Sequence, residues 1–208
     1  MSYANFISFP KELDSYPLSA FQHRKDELQT RFPEFRHLES IKDDLRLYFP
    51  PEAPLHNGIV WIFENSVATF EDCFDNPFVY MYDVRMVDIF SAEKTSIIKR
   101  HLDKEVKEGW LDIESMNLEL EKYRSTARKR YLQVLYEFIC NNIAAGEFSE
   151  IYVADQYTDF GGISPQILRV PRPKSKYSAN LRDLLNPTKL PDISKFDVGC
   201  KLTIYKTM

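Results

Sequence analysis

Positive charge is missing from a long stretch of this 208-residue chain: residues 47–84 contain six acids and no Lys or Arg. The reverse holds for residues 160–182, which contain five bases and no acid. These segments nearly cancel, so the formal net charge is only −4. The pI of about 5.7 argues against a dedicated nucleic-acid-binding domain, which is usually basic.

Cysteine is also scarce. Cys73, Cys140 and Cys200 are far apart, and the absence of C-x-x-C excludes a zinc ribbon or a thioredoxin-like motif. No apolar run is long enough to span a membrane, and the first residues lack the basic and apolar regions of a signal peptide. We therefore expect a cytoplasmic protein, with residues 1–208 forming a single domain.

Local catalytic and metal-binding motifs are equally hard to find. The four histidines stand in no metal-ligand spacing, and Asp159-Phe160-Gly161 has none of the other kinase motifs around it. Glu105-Val106-Lys107 has the letters of a nuclease core, but it falls in a predicted helix, whereas that core needs a strand. The sequence thus predicts no metal or cofactor and leans against an enzyme.

Apolar runs rich in β-branched and aromatic residues predict four strands, at residues 58–63, 78–84, 150–155 and 200–206. A fifth, short strand is weakly indicated at 167–170. Residues 1–17, which contain two prolines, are interpreted as an extended arm, and residues 156–177 as a long loop.

Helical spacing appears in four further places. Residues 18–49 predict a helical hairpin, and Ser91 to Glu108 a helix ended by Gly109. Asp112 is suited to cap a long helix at 113–145, with a bend or break near Ser125-Thr126 as the alternative. A short helix is indicated at 180–185.

Together these elements indicate an α+β fold: a four- or five-stranded mixed sheet with helices mainly on one face. The N-terminal helical hairpin 18–49 would precede an α+β body at 57–208.

The base-free segment is also rich in aromatic residues, and 14% of the whole chain is aromatic. Aromatic anchors within a charged rim are typical of tight protein interfaces, where the charges also steer association. We therefore expect a non-enzymatic binding protein of the immunity or inhibitor type, which holds a basic protein such as a nuclease or toxin. The expected partner-binding residues are Glu64, Glu71, Asp72, Asp75, Asp83, Trp61, Phe74 and Tyr82.

Three alternatives stay open. The acidic and basic segments could simply lie near each other in the fold. The chain could instead contact nucleic acid through the basic loop 169–182 and a basic group on the long helix, with Arg124, Arg128, Arg169, Arg172, Lys174 and Lys176 as contacts. An enzyme site could be assembled from distant residues, for example Asp83 or Asp155 with a histidine.

The long helix adds a further possibility. If its apolar stripe is wider than one sheet covers, two chains could form a homodimer along it.

Overall fold

The computed structural model describes residues 2–32, 46–53, 58–63, 68–69, 72–86, 92–156, 168–169, 172–186, 188–190 and 199–208. Its helices are α1 (Lys25–Arg31), α2 (Ala92–Lys107) and α3 (Ile113–Asn142). Two 3₁₀ segments accompany them, Leu18–Arg24 and Leu181–Leu185. The strands are β1 (Ser2–Phe9), β2 (Tyr16–Pro17), β3 (Arg46–Leu47), β4 (Gly58–Phe63), β5 (Ala68–Thr69), β6 (Phe78–Met86), β7 (Phe148–Gln156), β8 (Leu168–Arg169), β9 (Ser175–Asn180) and β10 (Cys200–Tyr205).

The main sheet is mixed and has six strands in the order β4-β6-β1-β7-β10-β9. All neighbours are antiparallel except β10 and β9, which run parallel. The α+β class is therefore confirmed, but the predicted strand count is too low. Two strands of this sheet are absent from the prediction: β1 falls in the predicted extended arm, and β9 begins in the predicted loop 156–177 and ends at the first residue of the short helix predicted at 180–185.

The C-terminal half of α3 covers one face of the sheet. Its buried side chains Leu132, Leu135 and Ile139 pack against inward-pointing residues of the strands, such as Ile7 and Leu202. The 3₁₀ segment Leu181–Leu185 joins this core through Leu181 and Leu184. This layer is the main hydrophobic core.

The other face of the sheet is covered in two parts. Beside β4, a small cluster formed by the segment 18–32 packs over Ile59. Farther along, Cys73 lies over Phe6, Tyr152 and Ala154. Because side chains alternate along a strand, Ser8, Glu150 and Lys201 also point to this second face.

The helix predictions are confirmed in part. Asp112 caps α3, since its side chain accepts a hydrogen bond of 2.8 Å from the Ser115 backbone N–H. The helix continues without a break past Ser125 and ends at Asn142, three residues earlier than predicted. The N-terminal helical hairpin does not reach residue 49, because Arg46 and Leu47 form β3; its second helix otherwise falls outside the described residues.

Candidate functional site

The structure brings the acidic and the basic segments together. The short strands β5 and β8 pair in parallel, which joins residues 68–69 to residues 168–169. A few residues farther along, Arg172 Nη2 lies 2.6 Å from Asp72 Oδ2. The acidic and basic segments are therefore neighbours in the fold where β5 meets β8 and where Asp72 meets Arg172.

Residues 72–77, which we call the acidic loop, lead into β6. Asp72 adopts a left-handed backbone conformation with φ of 53°, which Asp and Asn tolerate better than most residues do. Cys73 is fully buried, and the Phe74 ring lies 6.0 Å from the Tyr152 ring in an edge-on contact. The first half of the loop is thus fixed to the sheet by apolar contacts.

The second half of the loop is fixed by a buried carboxylate. Glu150 Oε2 accepts hydrogen bonds from the backbone N–H groups of Asp75 and Asn76, at 2.9 and 3.0 Å. The same oxygen accepts a third bond of 2.9 Å from Ser8 Oγ. Glu150 Oε1 accepts from the Lys201 ammonium. Both oxygens of this fully buried carboxylate therefore have donors, as a buried charge requires.

Asn76 and Lys201 extend this arrangement, which we call the Glu150 network (Ser8, Asp75, Asn76, Glu150 and Lys201). The Asn76 side-chain amide donates to Phe148 O at 3.0 Å and to Ser8 Oγ at 3.3 Å. Lys201 is only 2% exposed, yet its Nζ lies 3.2 Å from Asp75 Oδ2 at the surface. The network therefore connects three neighbouring strands to the acidic loop.

The charges of the network stabilise one another. The hydrogen bond and the charge of Lys201 hold the pKa of the Asp75 carboxyl below its usual value. Burial acts to lower the pKa of Lys201, but its bonds to Glu150 and Asp75 outweigh that effect and raise it. Both groups are therefore ionised at neutral pH.

The buried polar groups of the network are already paired with one another. Glu150 is buried with all its near donors in use, and the Lys201 ammonium lies between two carboxylates. Among the described residues, no group of three or more His, Cys, Asp and Glu could hold a metal ion. Of the two histidines that the structure describes, His23 Nε2 lies 3.4 Å from Glu52 Oε1, and His101 Nε2 lies 3.4 Å from Glu105 Oε1.

The other predicted partner-binding residues are scattered. Tyr82 is buried in the main core beside Tyr131, and burial raises the pKa of its hydroxyl well above the usual value. Trp61 packs half-buried against the cluster next to β4, and the register places Asp83 opposite it on β6. Glu64 and Glu71 lie outside the described residues. Of the predicted partner-binding residues that the structure describes, Asp72, Phe74 and Asp75 are the three that lie in the acidic loop.

The basic residues form two separate groups. Arg172, Lys174 and Lys176 are exposed at and before the edge strand β9, and β9 and β10 place Lys176 beside Lys201. Arg124 lies on α3, where its guanidinium is 4.0 Å from Glu121. Arg128 is half-buried on the same helix, and the side chain of Arg169 is not described.

A cavity of about 280 Å³ lies elsewhere, between the edge of β4 and α3. Its lining is mixed, with the carboxylates of Asp14 and Glu137 beside Tyr48 and Val60. None of the residues selected from the sequence lines it.

Sequence reasoning missed Ser8, Asn76, Glu150 and Lys201. The available indication was a charged residue inside an otherwise apolar strand, at Glu150 and again at Lys201. Their pairing depends on β7 and β10 being neighbours, which local patterns do not reveal.

None of the described helices is long and apolar enough to cross a membrane. The chain matches no protein-family model, and it has no significant match among curated proteins or solved structures.

Proposed function

We propose that this chain is a non-catalytic binding protein of the immunity or inhibitor type, and that the acidic loop is the centre of its contact with a basic protein. The observation that carries the proposal is the Glu150 network. It fixes the backbone of Asp75 and Asn76 from below while the Asp75 side chain stays 72% exposed. A rigid loop with outward carboxylates binds without a large ordering cost.

The ion pair between Asp72 and Arg172 is compatible with such a contact. Both side chains are more than 70% exposed, so the pair contributes at most about 1 kcal/mol to stability. A basic side chain of a partner therefore competes with Arg172 at little cost. Phe74, which is half-buried beside Cys73, supplies apolar surface within the acidic loop.

The test removes the two loop charges without changing the loop shape. Asn tolerates the left-handed conformation of residue 72, so Asp72→Asn/Asp75→Asn retains the backbone. The immobilised wild-type chain captures proteins from an extract of the cells of origin at about 50 mM salt. Proteins that are released at high salt are then purified. Their affinities for the wild-type chain and for the variant are then measured by calorimetry.

We expect a basic protein whose affinity falls at least about tenfold in the variant, because charge pairs within an interface are stronger than exposed ones. Glu12→Gln/Asp14→Asn is the matched control, since it removes two exposed acids outside the loop. Equal affinity of wild type and loop variant for every captured protein would refute the proposal.

A second candidate function follows from the edge strand β9. Arg172, Lys174 and Lys176 are exposed at and before this strand, and Tyr177, which points to the opposite face of the sheet from Lys176, is 44% exposed. Basic side chains along an exposed edge suit the phosphates of a single-stranded nucleic acid, and an exposed aromatic ring offers a surface on which a nucleobase stacks. The test measures binding of a labelled oligonucleotide at about 50 mM salt. Binding by the wild type that is lost in Lys174→Glu/Lys176→Glu would favour this function, and no binding by the wild type would dismiss it.

A further inference from the structure

The helical hairpin formed by α2 and α3 is only partly packed on the rest of the protein. Four of the five buried residues of α3 lie between Leu132 and Ile139, over the sheet. Leu120 is the one buried residue in the part of α3 that precedes them. Helix α2 packs mainly against α3, and its apolar residues Ile98, Leu102 and Val106 are only half-buried.

Large apolar side chains are exposed at the tip of this hairpin. Trp110 in the turn is 81% exposed, and Ile113 and Leu118 at the start of α3 are 62% and 58% exposed. Single exposed apolar residues are ordinary, but three within nine positions concentrate apolar surface at this tip, which favours a contact with another protein. Trp is also the residue type most enriched at the centres of such contacts.

The charges along α3 indicate which protein this tip contacts. Residues 112–121 contain four acids and no base, and residues 122–130 contain five bases and no acid. A second copy of the same helix in the antiparallel direction places the acidic part of each chain against the basic part of the other. A parallel copy would place like charges together.

We propose that two copies of this chain pair through their α2–α3 hairpins, antiparallel about a two-fold axis between residues 121 and 122. The overlap of residues 112–131 spans about 30 Å of helix at 1.5 Å per residue. Each Trp110 then lies beside the partner's helix close to where that helix enters its own core. The pairing also covers Leu118, which is 58% exposed in the single chain.

The two-fold axis fixes the pairing of one exposed face of α3. Residues 114, 118, 121, 122, 125 and 129 share this face, because each lies three or four positions from another member of the set; residues 121 and 122 form its two borders. The axis sets Glu114 against Lys129 of the other copy, Glu121 against Lys122, and Leu118 against Ser125. The i,i+3 pair of Lys122 with Glu119 is exposed and contributes only a few tenths of a kcal/mol, so it does not prevent the exchange.

The experiment uses two variants in which opposite halves of this face of α3 have their charges reversed. Glu114→Lys/Glu121→Lys makes this face of the helix basic, and Lys122→Glu/Lys129→Glu makes it acidic. Sedimentation velocity from about 1 to 100 μM gives the molar mass of the wild type, of each variant and of their equimolar mixture.

We expect a concentration-dependent dimer for the wild type, monomers for both variants alone, and a restored dimer in the mixture. Glu12→Lys/Asp14→Lys is the control with the same change in net charge, and it should dimerise like the wild type. Circular dichroism confirms that each variant is folded. A wild type that is monomeric at 100 μM, or a mixture of folded variants that stays monomeric, overturns the proposal.

Discussion

Glu150 is the residue on which the acidic loop depends most. Its carboxylate accepts hydrogen bonds from two backbone N–H groups of that loop and from the ammonium of Lys201. Replacing it by Gln leaves Lys201 as a buried charge without its main partner, and breaking a buried pair costs about 3–5 kcal/mol. We expect Glu150→Gln to lower the free energy of unfolding in urea by about this amount.

The double variant Glu150→Gln/Lys201→Met provides the control. It removes both charges, so it should be more stable than Glu150→Gln alone. If the single and the double variants are equally stable, the buried pair contributes less than its geometry indicates.

Asp75 should make stability depend on pH in the acidic range. Lys201 lowers the pKa of Asp75 in the folded chain below the ordinary value of 3.8. The stabilisation is therefore fully present above that value, and it is lost as the pH falls through the lowered pKa. The stability difference between wild type and Asp75→Asn should shrink between about pH 5 and pH 2.

Urea unfolding at each pH measures this difference, and Glu12→Gln serves as the control because Glu12 is an exposed acid outside the acidic loop. Because Asp75 is largely exposed, we expect a small effect. A difference that stays constant over the whole range would contradict the predicted role of Lys201.

At the scale of elements, the strands that the sequence predicted are those with an apolar run and a turn on each side. Strand β1 was missed because its two faces are both buried: Phe6 and Ser8 point to one layer, and Ile7 and Phe9 to the other. A central strand of this kind shows no alternation of polar and apolar residues, and Pro10 follows it directly. Strand β9 was missed for the opposite reason, because an exposed edge strand needs few apolar residues.

The end of α3 depends on a residue from another element. The last turn of α3 contains no basic residue, but Lys206 Nζ, just after β10, lies 2.6 Å from Cys140 O and 2.7 Å from Ile143 O. It satisfies carbonyl groups that have no partner within the helix, and its charge is favourable at this end of the helix dipole. We expect Lys206→Met to lower the free energy of unfolding by about 1–2 kcal/mol.

Chemical denaturation measures this loss. Lys206→Arg, which retains the charge and the donors, should recover most of it. Lys189→Met is the matched control, because Lys189 is exposed and, within the described part of the chain, its ammonium bonds to no carbonyl of α3. A loss as large for Lys189→Met as for Lys206→Met would show that the capping bonds contribute nothing.

At the scale of the whole molecule, the candidate site was only partly accessible from the sequence. The base-free segment pointed to Asp72 and Asp75, since a local charge count finds residues close together in the chain. The Glu150 network joins residues from positions 8 to 201, and its members are neighbours only because β1, β7 and β10 are adjacent strands. Strand order depends on which core layers fit together, so it lies beyond local patterns of charge and hydrophobicity.

The uneven burial of α3 predicts that the free energy of local opening changes along this helix. Its second half lies in the main core, and its first half, with α2, depends on the hairpin alone. Parts with few buried contacts open locally at a lower free energy than the core does. In dilute protein, amide hydrogens of residues 116–126 should therefore exchange faster than those of residues 132–139.

Hydrogen exchange at rising protein concentration then connects this gradient to the proposed dimer. Pairing of the hairpins covers residues 112–131. The protection of their amide hydrogens should therefore rise with protein concentration in proportion to the stabilisation that dimer formation provides at each concentration. In Glu114→Lys/Glu121→Lys the exchange of this region should be independent of concentration, while residues 132–139 stay protected. Protection that is uniform along α3 at every concentration would contradict the gradient, because it would mean that the hairpin opens only together with the core.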